Sequence, residues 1–272
     1  MKRWMIKILC LALLLLCGCG VRAPETLTVR VFSIGKADSI LLTDGTHAIL
    51  VDAGEEDDGG DILESLSAMG VEKLDAMILT HFDKDHIGGA PEVLDGIAVE
   101  RVVMPAYEPD GKRYRALLEA LDTAHIAAQR PTGDSSFTVG GMTIDIWTPR
   151  AAYEDSDNDQ SLVTRVTFAG TRLLLLGDAE DVRTQELLSG GYDLSCDILK
   201  IAHHGRYHET SAALLDAAAP RYALITDSQK NPAEDDLLAL LEARGIQALR
   251  TMDGEIGLSV SGGQITAWVE PD

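Results

Sequence analysis

Four side chains of the kinds that bind metal ions fall within six residues of the chain: His81, Asp83, Asp85 and His86. Neutral imidazole and carboxylate together suit Zn²⁺, Mn²⁺ or Fe. The cluster directly follows an apolar run, and loops at strand ends are common places for ligands. The glycines at 88–89 would let the backbone turn closely behind it. The alternative interpretation is a solvent-exposed polar loop in which the aspartates cap a helix.

Two later apolar runs also end in residues that can bind metal. Leu173–Leu176 runs into Gly177-Asp178, and Ile198–Ala202 runs into His203-His204. A carboxylate at the end of a buried strand needs a partner, and a metal ion is a natural one. Each run alone could instead start a capped helix or carry a surface pair. Together with the first cluster, the two runs predict one metal centre.

The elements that must position these residues alternate between strands and helices. Runs rich in Val, Ile and Leu and bounded by turn residues predict the strands, whereas apolar residues at helical spacing predict the helices. The predicted strands are Leu27–Phe32, Ser39–Leu42, Ala48–Asp52, Ala76–Thr80, Ala98–Met104, Phe137–Gly140, Met142–Trp147, Leu162–Phe168, Thr171–Leu176, Ile198–Ala202, Tyr222–Thr226, Gly257–Val260 and Gln264–Val269. The predicted helices are Asp61–Met69, Tyr114–Ala128, Asp181–Leu188, Ser211–Ala219 and Asp235–Arg244.

A faint internal echo suggests two related halves. Ser39 opens a predicted hairpin that ends near Asp52, and Ser161 opens another that ends near Asp178. Hairpins followed by aspartate are common, so the echo alone is weak. Neither a solenoid-like repeat nor an internal linker is recognisable, and we predict one domain over residues 27–272.

The N-terminus has the order of an export signal. Basic residues precede a short apolar run over Ile8–Leu16, which is about half of the ~20 residues that a membrane-spanning helix needs. Leu16-Cys17-Gly18-Cys19 resembles the bacterial lipobox, which implies that Cys19 is lipidated. We therefore predict a signal peptide over 1–18 and a lipidated cysteine with a tether over 19–26. An ordinary cleaved signal and an uncleaved anchor are the alternatives. The expected location is the outer face of the cell membrane, or secretion.

The charge of the chain limits its partners. The formal net charge is −21, which repels polyphosphate chains unless cations collect at one site. Duplex DNA binding usually depends on a clear basic face. Here Arg101, Lys112, Arg113 and Arg115 form only a loose cluster, either a small nucleic-acid footprint or a solvated helix start. A small phosphodiester or a short single strand therefore fits better than long duplex DNA.

The three metal-binding stretches resemble the metallo-β-lactamase superfamily, with its His-x-His-x-Asp-His motif, bridging aspartate and late histidine. More narrowly, the chain is similar to the C-terminal hydrolase-like domain of ComEC-type DNA-uptake proteins. The matching residues are Gly35, Asp38-Ser39-Ile40-Leu41-Leu42, Val51-Asp52-Ala53-Gly54, Leu79 to Gly89, Asn158, Ser161-Leu162-Val163, Leu176-Gly177-Asp178 and Leu199 to Gly205. The resemblance implies an α+β fold, a four-layer αββα sandwich.

The resemblance also implies a ligand set for two divalent metal ions, Zn or Mn. His81 and Asp83 would bind the first, Asp85 and His86 the second, Asp178 would bridge both, and His204 would complete the second site. His203 and His204 could exchange roles, and we assign His203 to the substrate side. Because Asp83 stands where most relatives have histidine, the site is richer in oxygen and favours Mn²⁺ over Zn²⁺.

Catalytic and substrate roles follow from the same comparison. Asp85 would orient the water, and His203 or Lys200 would stabilise or protonate the leaving oxygen. Asn158 and Ser161 lie where many relatives carry another histidine, and are predicted to face the substrate.

Three departures concern the substrate side. Arg206, where serine is usual, is predicted to contact phosphate, as is Lys84; surface charge is the alternative for both. Lys36-Ala37 replaces the usual Gln-Gly, and the loop after Thr226 is shortened. The shortened loop weakens the case for a nucleic-acid substrate and leaves the metal ligands intact.

These observations predict an extracytoplasmic metal-dependent hydrolase that uses a metal-activated water, with phosphodiester bonds as the expected target. The substrate would be a small phosphodiester or single-stranded nucleic acid, and the membrane would be a partner through the lipid anchor. No protein partner is predicted. The alternatives are hydrolysis of a lactam, lactone or thioester on the same scaffold, and a non-catalytic lipoprotein that binds a surface ligand.

Overall fold

The computed structural model describes residues 25–153 and 156–271. The predicted signal peptide, Cys19 and most of the tether lie outside the described residues. Within the described ranges, no helix is both long and apolar enough to cross a bilayer.

Strands and short helices follow one another along the chain. The strands are β1 (Thr26–Val31), β2 (Ile40–Thr43), β3 (Ala48–Val51), β4 (Lys73–Leu74), β5 (Ala76–Ile78), β6 (Ala98–Val99), β7 (Val102–Val103), β8 (Ser135–Val139), β9 (Met142–Trp147), β10 (Val163–Phe168), β11 (Thr171–Leu175), β12 (Ile198–Lys200), β13 (Tyr222–Ile225), β14 (Gln247–Arg250), β15 (Glu255–Ser261) and β16 (Gln264–Glu270). The α-helices are α1 (Gly59–Ala68), α2 (Lys84–Ile87), α3 (Ala90–Gly96), α4 (Lys112–Thr123), α5 (Asp181–Ser189), α6 (Ser211–Ala218) and α7 (Asp235–Ala243).

Two mixed sheets form the centre of the molecule. The first has the strand order β16-β15-β1-β2-β3-β5-β7, and the second has β14-β13-β12-β11-β10-β9-β8. Helices α1, α3 and α4 cover the outer face of the first sheet, and α5, α6 and α7 cover that of the second. Three apolar cores result, one between the sheets and one beneath each helical layer. The predicted four-layer αββα sandwich is confirmed.

The apolar patterns explain these layers. Along β1 the residues Leu27, Val29 and Val31 are buried and alternate with partly exposed ones, because only one face of that strand is covered. Every residue of β3 and of β5 is buried, because helices cover the second face there. The helices place apolar residues four apart toward the sheets, as Leu117 and Leu121 do in α4.

The two halves repeat one strand arrangement. In the first sheet β1, β2 and β3 pair antiparallel, and β5 and β7 then continue in parallel. In the second sheet β9, β10 and β11 pair antiparallel, and β12 and β13 continue in parallel. The sequence echo that ends at Asp52 and Asp178 therefore corresponds to equivalent positions, directly after β3 and shortly after β11.

Several secondary-structure predictions were wrong or incomplete. The predicted strand Ala98–Met104 is two strands, because β6 pairs with β4 whereas β7 pairs with β5. The predicted helix Tyr114–Ala128 ends at Thr123, and Gln129 then bonds to the backbone beside β7. Strands β4 and β14 and helices α2 and α3 were not predicted.

Candidate metal centre

The predicted site residues follow the ends of strands. Asp52 follows β3 and His81 follows β5 in the first sheet, while Asp178 and His204 follow β11 and β12 in the second. Strands β3 and β5 are parallel, as are β11 and β12, so that in each sheet the carboxyl ends of the two strands meet at one edge. The facing sheets bring the two edges together. Asp52, His203 and His204 adopt positive φ angles (58°, 49° and 56°), a strained conformation that is typical of functional sites.

The stretch predicted as a ligand loop contains one short helix, α2. Asp83 precedes α2, and this single turn buries Asp85 and His86. The glycines that follow are needed for close approach: a Cβ on Gly88 would lie 2.4 Å from the nitrogen of Glu56. The predicted close turn is thus present, but its cause is packing, since φ of Gly88 is −58°.

The first group of ligand atoms comprises His81, His86 and Asp178. These side chains are buried, and their ligand atoms lie within 4.8 Å of one another. Among the described residues, Nε2 of His81, Nε2 of His86 and Oδ1 of Asp178 have no hydrogen-bond partner. Buried polar atoms are rarely left without partners. Two imidazole nitrogens and a carboxylate oxygen in this state fit a divalent metal ion.

A second group shares Asp178. Its Oδ2 lies 3.1 Å from Nε2 of His204, which in turn lies 3.5 Å from Oδ2 of Asp85. Asp178 therefore turns one oxygen toward each group, since its Oδ1 lies 3.3 Å from Nε2 of His86. His86, expected with Asp85, falls with His81 in the first group.

His203 points elsewhere than its neighbour. Its Nδ1 lies 3.0 Å from Oε1 of Glu180, and its ring stacks on His208 with centroids 5.7 Å apart. His203 also lines the cleft described below. His204 thus faces Asp178 and Asp85, whereas His203 lines the cleft, and their assignment as metal ligand and substrate-side residue stays a prediction.

Asp52 holds His86 from behind. Its Oδ2 lies 2.8 Å from Nδ1 of His86, and it accepts hydrogen bonds from the amide and the hydroxyl of Thr80, each at 2.7 Å. A proton on Nδ1 then leaves Nε2 free to bind a metal. No role was predicted for Asp52, although its place after a buried strand was a signal.

Asp38 is a second orienting carboxylate that sequence reasoning missed. It accepts a hydrogen bond from the Thr226 hydroxyl at 2.6 Å, forms an ion pair with Lys200 at 2.5 Å, and lies 3.3 Å from Nδ1 of His204. Asp38, His86 and His204 are close enough to hold an ion themselves. We regard Asp38 as orienting because Lys200 and Thr226 already engage both of its oxygens.

Lys200 is only 1 % exposed, and its amino group rests on Asp38. A contact between Lys200 and a leaving oxygen therefore stays a prediction.

The remaining predicted residues surround the two groups at different depths. The side chain of Asp83 is 45 % exposed, and its Oδ2 lies 3.8 Å from Nε2 of His81.

Ser161 is fully buried, and its hydroxyl accepts the amide hydrogen of Asp178 at 3.3 Å. Asn158 donates to Glu180 at 2.9 Å. The side chain of Arg206 is 58 % exposed, near Glu234 and outside the residues that line the cleft. Direct substrate contacts of Asn158, Ser161 and Arg206 stay predictions.

The histidines fall into two electrostatic classes. Burial lowers the pKa of His81 to about 3 and that of His203 to about 4. Burial acts in the same direction on His86, but Asp178 and Asp52 outweigh it and hold the pKa of His86 well above its usual value. Asp178 and Asp38 likewise raise the pKa of His204 against burial.

Asp178 shows the reciprocal effect. Burial alone would raise its pKa, but His86 and His204 hold it well below its usual value. A metal ion that binds these imidazoles must displace their protons.

An open cleft of about 500 Å³ lies over these residues. Asp83, Asp85, Asp178 and His203 contribute to its lining. Its remaining wall includes four cationic side chains, which are Lys36, Lys84, Lys112 and Arg113. Basic side chains therefore collect beside the acidic centre of a strongly acidic protein.

Comparisons with known proteins agree with this architecture. The sequence profile of the metallo-beta-lactamase superfamily matches residues 34–225. ComE operon protein 3 of Bacillus subtilis is 29% identical over 193 residues, which cover 70% of this chain and 25% of that protein. Competence protein ComA of Neisseria gonorrhoeae is 30% identical over 269 residues, which cover 94% of this chain and 36% of that protein. The chain thus spans between a quarter and about a third of the length of these relatives.

A solved structure supports the fold. The metallo-beta-lactamase fold protein YhfI from Bacillus subtilis superposes with a TM-score of 0.55 at 16% identity, over 90% of this chain and 100% of that one. The fold family implies that the clustered histidines and aspartates bind divalent metal. From the profile match, the two-sheet architecture and the ligand groups at the strand ends, we conclude that this chain belongs to the metallo-beta-lactamase superfamily and is related to competence proteins.

Proposed function

We propose that the chain is an extracytoplasmic, metal-dependent hydrolase of phosphodiester bonds. The observation that carries the proposal is the cationic rim around the buried histidine and aspartate groups, in a chain with a net charge of −21. An anionic substrate would be repelled from most of such a surface and attracted to this rim.

The metal-binding part rests on the donor atoms. His81, His86 and Asp178 would hold one divalent ion, with Asp83 at the mouth, and Asp85 with His204 would hold a second next to it. Such ions activate a water molecule and stabilise negative charge on phosphate oxygens. Their number, and the choice between Zn²⁺ and Mn²⁺, belong to the proposal.

The rim would bind the phosphate. Lys112 and Arg113 approach Glu56 only to 3.8 Å, so both keep donors for a ligand. Lys84 is more firmly engaged, with its amino group 2.6 Å from Glu55. Guanidinium and ammonium groups form strong, charge-assisted hydrogen bonds to phosphate oxygens.

His203 is placed to act on the leaving oxygen. It lines the cleft, and its Nδ1 lies 3.0 Å from Oε1 of Glu180. Because burial lowers its pKa to about 4, the free protein holds it neutral at pH 7. A phosphate anion beside the ring would raise that pKa, so that the ring can pass a proton to the leaving oxygen. Asp85 would orient the attacking water.

The test is hydrolysis of bis-p-nitrophenyl phosphate by protein loaded with Mn²⁺ or Zn²⁺. Asp85→Ala should lower kcat/KM by about 100-fold or more. Asp95→Ala, an exposed carboxylate on α3, is the matched control and should leave the rate unchanged. The proposal is wrong if the loaded protein cleaves no phosphodiester or if Asp85→Ala keeps full activity. Cleavage of nitrocefin alone would support lactam hydrolysis, and absence of bound metal would support a binding lipoprotein.

Location and domain boundaries form a separate part of the proposal. Residues 1–18 would be removed on export, Cys19 would carry the lipid, and 27–272 would fold as one domain. Cys19→Ser should release the protein from the membrane fraction, whereas Cys17→Ser should not. Release by neither variant, or equal release by both, would contradict lipidation at Cys19.

A further inference from the structure

A lysine side chain contacts the second ligand group. The amino group of Lys36 lies 3.2 Å from Oδ2 of Asp85, the same oxygen that faces Nε2 of His204. Among the residues that the structure describes, no lysine or arginine forms an ion pair with Asp178, which anchors the first group. Lys200, another nearby lysine, contacts Asp38 instead. The two ligand groups therefore differ in the positive charge that already touches them.

This contact matters for a second cation. A carboxylate oxygen that holds an ammonium group offers less negative charge to another cation, and two cations on one oxygen repel each other. The side chain of Asp85 is only 9 % exposed, so water and salt screen that repulsion weakly. The same repulsion at the first group is smaller, because Lys36 does not touch its carboxylate.

Lys36 is nevertheless free to leave. Its side chain is 33 % exposed, and it lies on the turn that Gly35 forms with a φ of +77°. Its head group can exchange Asp85 for water, since lysine ammonium is strongly hydrated and sits on a flexible stem. The ammonium group of Lys36 therefore competes with a metal ion for the second group but does not exclude the ion permanently.

We propose that Lys36 makes the two ligand groups unequal: the group of His81, His86 and Asp178 binds one divalent ion tightly, and the group of Asp85 and His204 binds another only weakly because the ammonium group of Lys36 competes for Asp85. The inference rests on the metal binding proposed above. It makes Lys36 the residue that sets how many ions the chain holds at a given free-metal concentration.

The test is metal stoichiometry and affinity, measured without any substrate. Wild type, Lys36→Gln, Lys36→Arg and Lys84→Gln are dialysed against buffered free Zn²⁺ or Mn²⁺. Bound metal is then counted by mass spectrometry and titrated by calorimetry. Lys84→Gln removes a lysine on the same cleft that pairs with Glu55 instead of Asp85, and is the matched control.

The expected result is one tightly bound ion in wild type, Lys36→Arg and Lys84→Gln. Lys36→Gln should tighten the second binding step about 10- to 100-fold, as changes next to metal ligands commonly alter affinity. Two equally tight ions in wild type would overturn the inference, as would an unchanged second step in Lys36→Gln. An inactive protein with this binding pattern would contradict only the proposed reaction, whereas an active one without it would contradict only the role of Lys36.

Discussion

The imidazole of His86 has a carboxylate on either side. Asp52 lies 2.8 Å from its Nδ1 and Asp178 lies 3.3 Å from its Nε2. The first contact orients the ring and the second marks the atom that would bind metal. Carboxylates behind a ligating histidine fix its tautomer and raise its basicity. At this scale the site depends on Asp52 and Asp38 as much as on the ligands themselves.

We expect Asp52→Asn to weaken binding of the first metal ion by about 10- to 100-fold. Asparagine tolerates the positive φ at this position, so the backbone should persist. A chromophoric chelator in competition with the protein measures the affinity. Asp75→Asn is the control, because Asp75 also accepts a backbone hydrogen bond (from Ala48, at 2.9 Å) but lies away from the site. Equal affinity in wild type and Asp52→Asn would contradict the orienting role.

A pH dependence follows from His203 in metal-free protein. Its folded pKa of about 4 lies below the ordinary value of 6.5, so the unfolded chain binds more protons between these values. His203 therefore destabilises the folded state progressively as pH falls from about 6.5 to 4. The difference in unfolding free energy between His203→Gln and wild type should therefore shift in favour of the variant by on the order of 2–3 kcal/mol as pH falls from 7 to 4.

Urea unfolding with a chelator present measures this difference. His125→Gln is the control, since His125 is exposed and has a similar φ of 57°. If the stabilities of wild type and His203→Gln changed in parallel with pH, the explanation by burial would be wrong.

At the scale of elements, the end of β11 shows how closely the site is packed. Gly177 has a φ of +56°, and a Cβ there would lie 2.9 Å from Cβ of Thr80 and 3.1 Å from the hydroxyl oxygen of Ser161. The turn that carries Asp178 thus packs tightly between Thr80 of the first half and Ser161 of the second half. Any larger side chain must move Asp178 or its neighbours.

Gly177→Ala should cost about 2–4 kcal/mol in unfolding free energy, from the left-handed backbone and the overpacking together. It should also weaken metal binding. Gly170→Ala, at the other end of the same strand, has a similar φ of +86° but nothing within 4 Å of the new Cβ. It should cost about 1–2 kcal/mol and leave metal affinity unchanged. Calorimetry with and without metal separates the loss of stability from the loss of metal affinity. An equal loss of metal affinity in Gly177→Ala and Gly170→Ala would contradict the packing argument.

Sequence patterns predicted those features that depend on residues close together in the chain, namely most strands and helices and the residues at their ends. Apolar runs that end in Asp178 and His204 showed which side chains the strand ends would present. The two-sheet sandwich, in contrast, was expected from the resemblance to the metallo-β-lactamase superfamily. The helix α2 was missed because four residues are too few to show a helical period. The role of Asp38 was missed because its partners, Lys200 and Thr226, are distant in the chain and meet it only after both sheets have formed.

At the scale of the whole molecule, the ligands join the two halves. His81 and His86 come from the first sheet, and Asp178 and His204 come from the second. An ion that binds only the folded protein stabilises it by about 2.7 kcal/mol when its free concentration is 100 times Kd. For a domain of this size that corresponds to a rise in Tm of roughly 5–10 °C.

Asp178→Asn should abolish most of this rise, because Asp178 faces both ligand groups. Asp145→Asn is the control: its carboxylate pairs with Arg165 at 2.8 Å on β10, away from the site. Thermal unfolding at fixed free Zn²⁺ or Mn²⁺ measures the shift. A full shift in Asp178→Asn would show that the ion binds elsewhere.

The division of the ligands between the halves also has a consequence for the order of events in the cell. In a chain that is still being made, or that crosses a membrane unfolded, only the ligands from His81 to His86 are close together. Asp178 and His204 approach them only when the chain folds. Such a chain holds no complete binding site before it folds. If the protein is exported as proposed and crosses the membrane unfolded, its metal is acquired outside the cytoplasm. The ion it carries then reflects the metals available there.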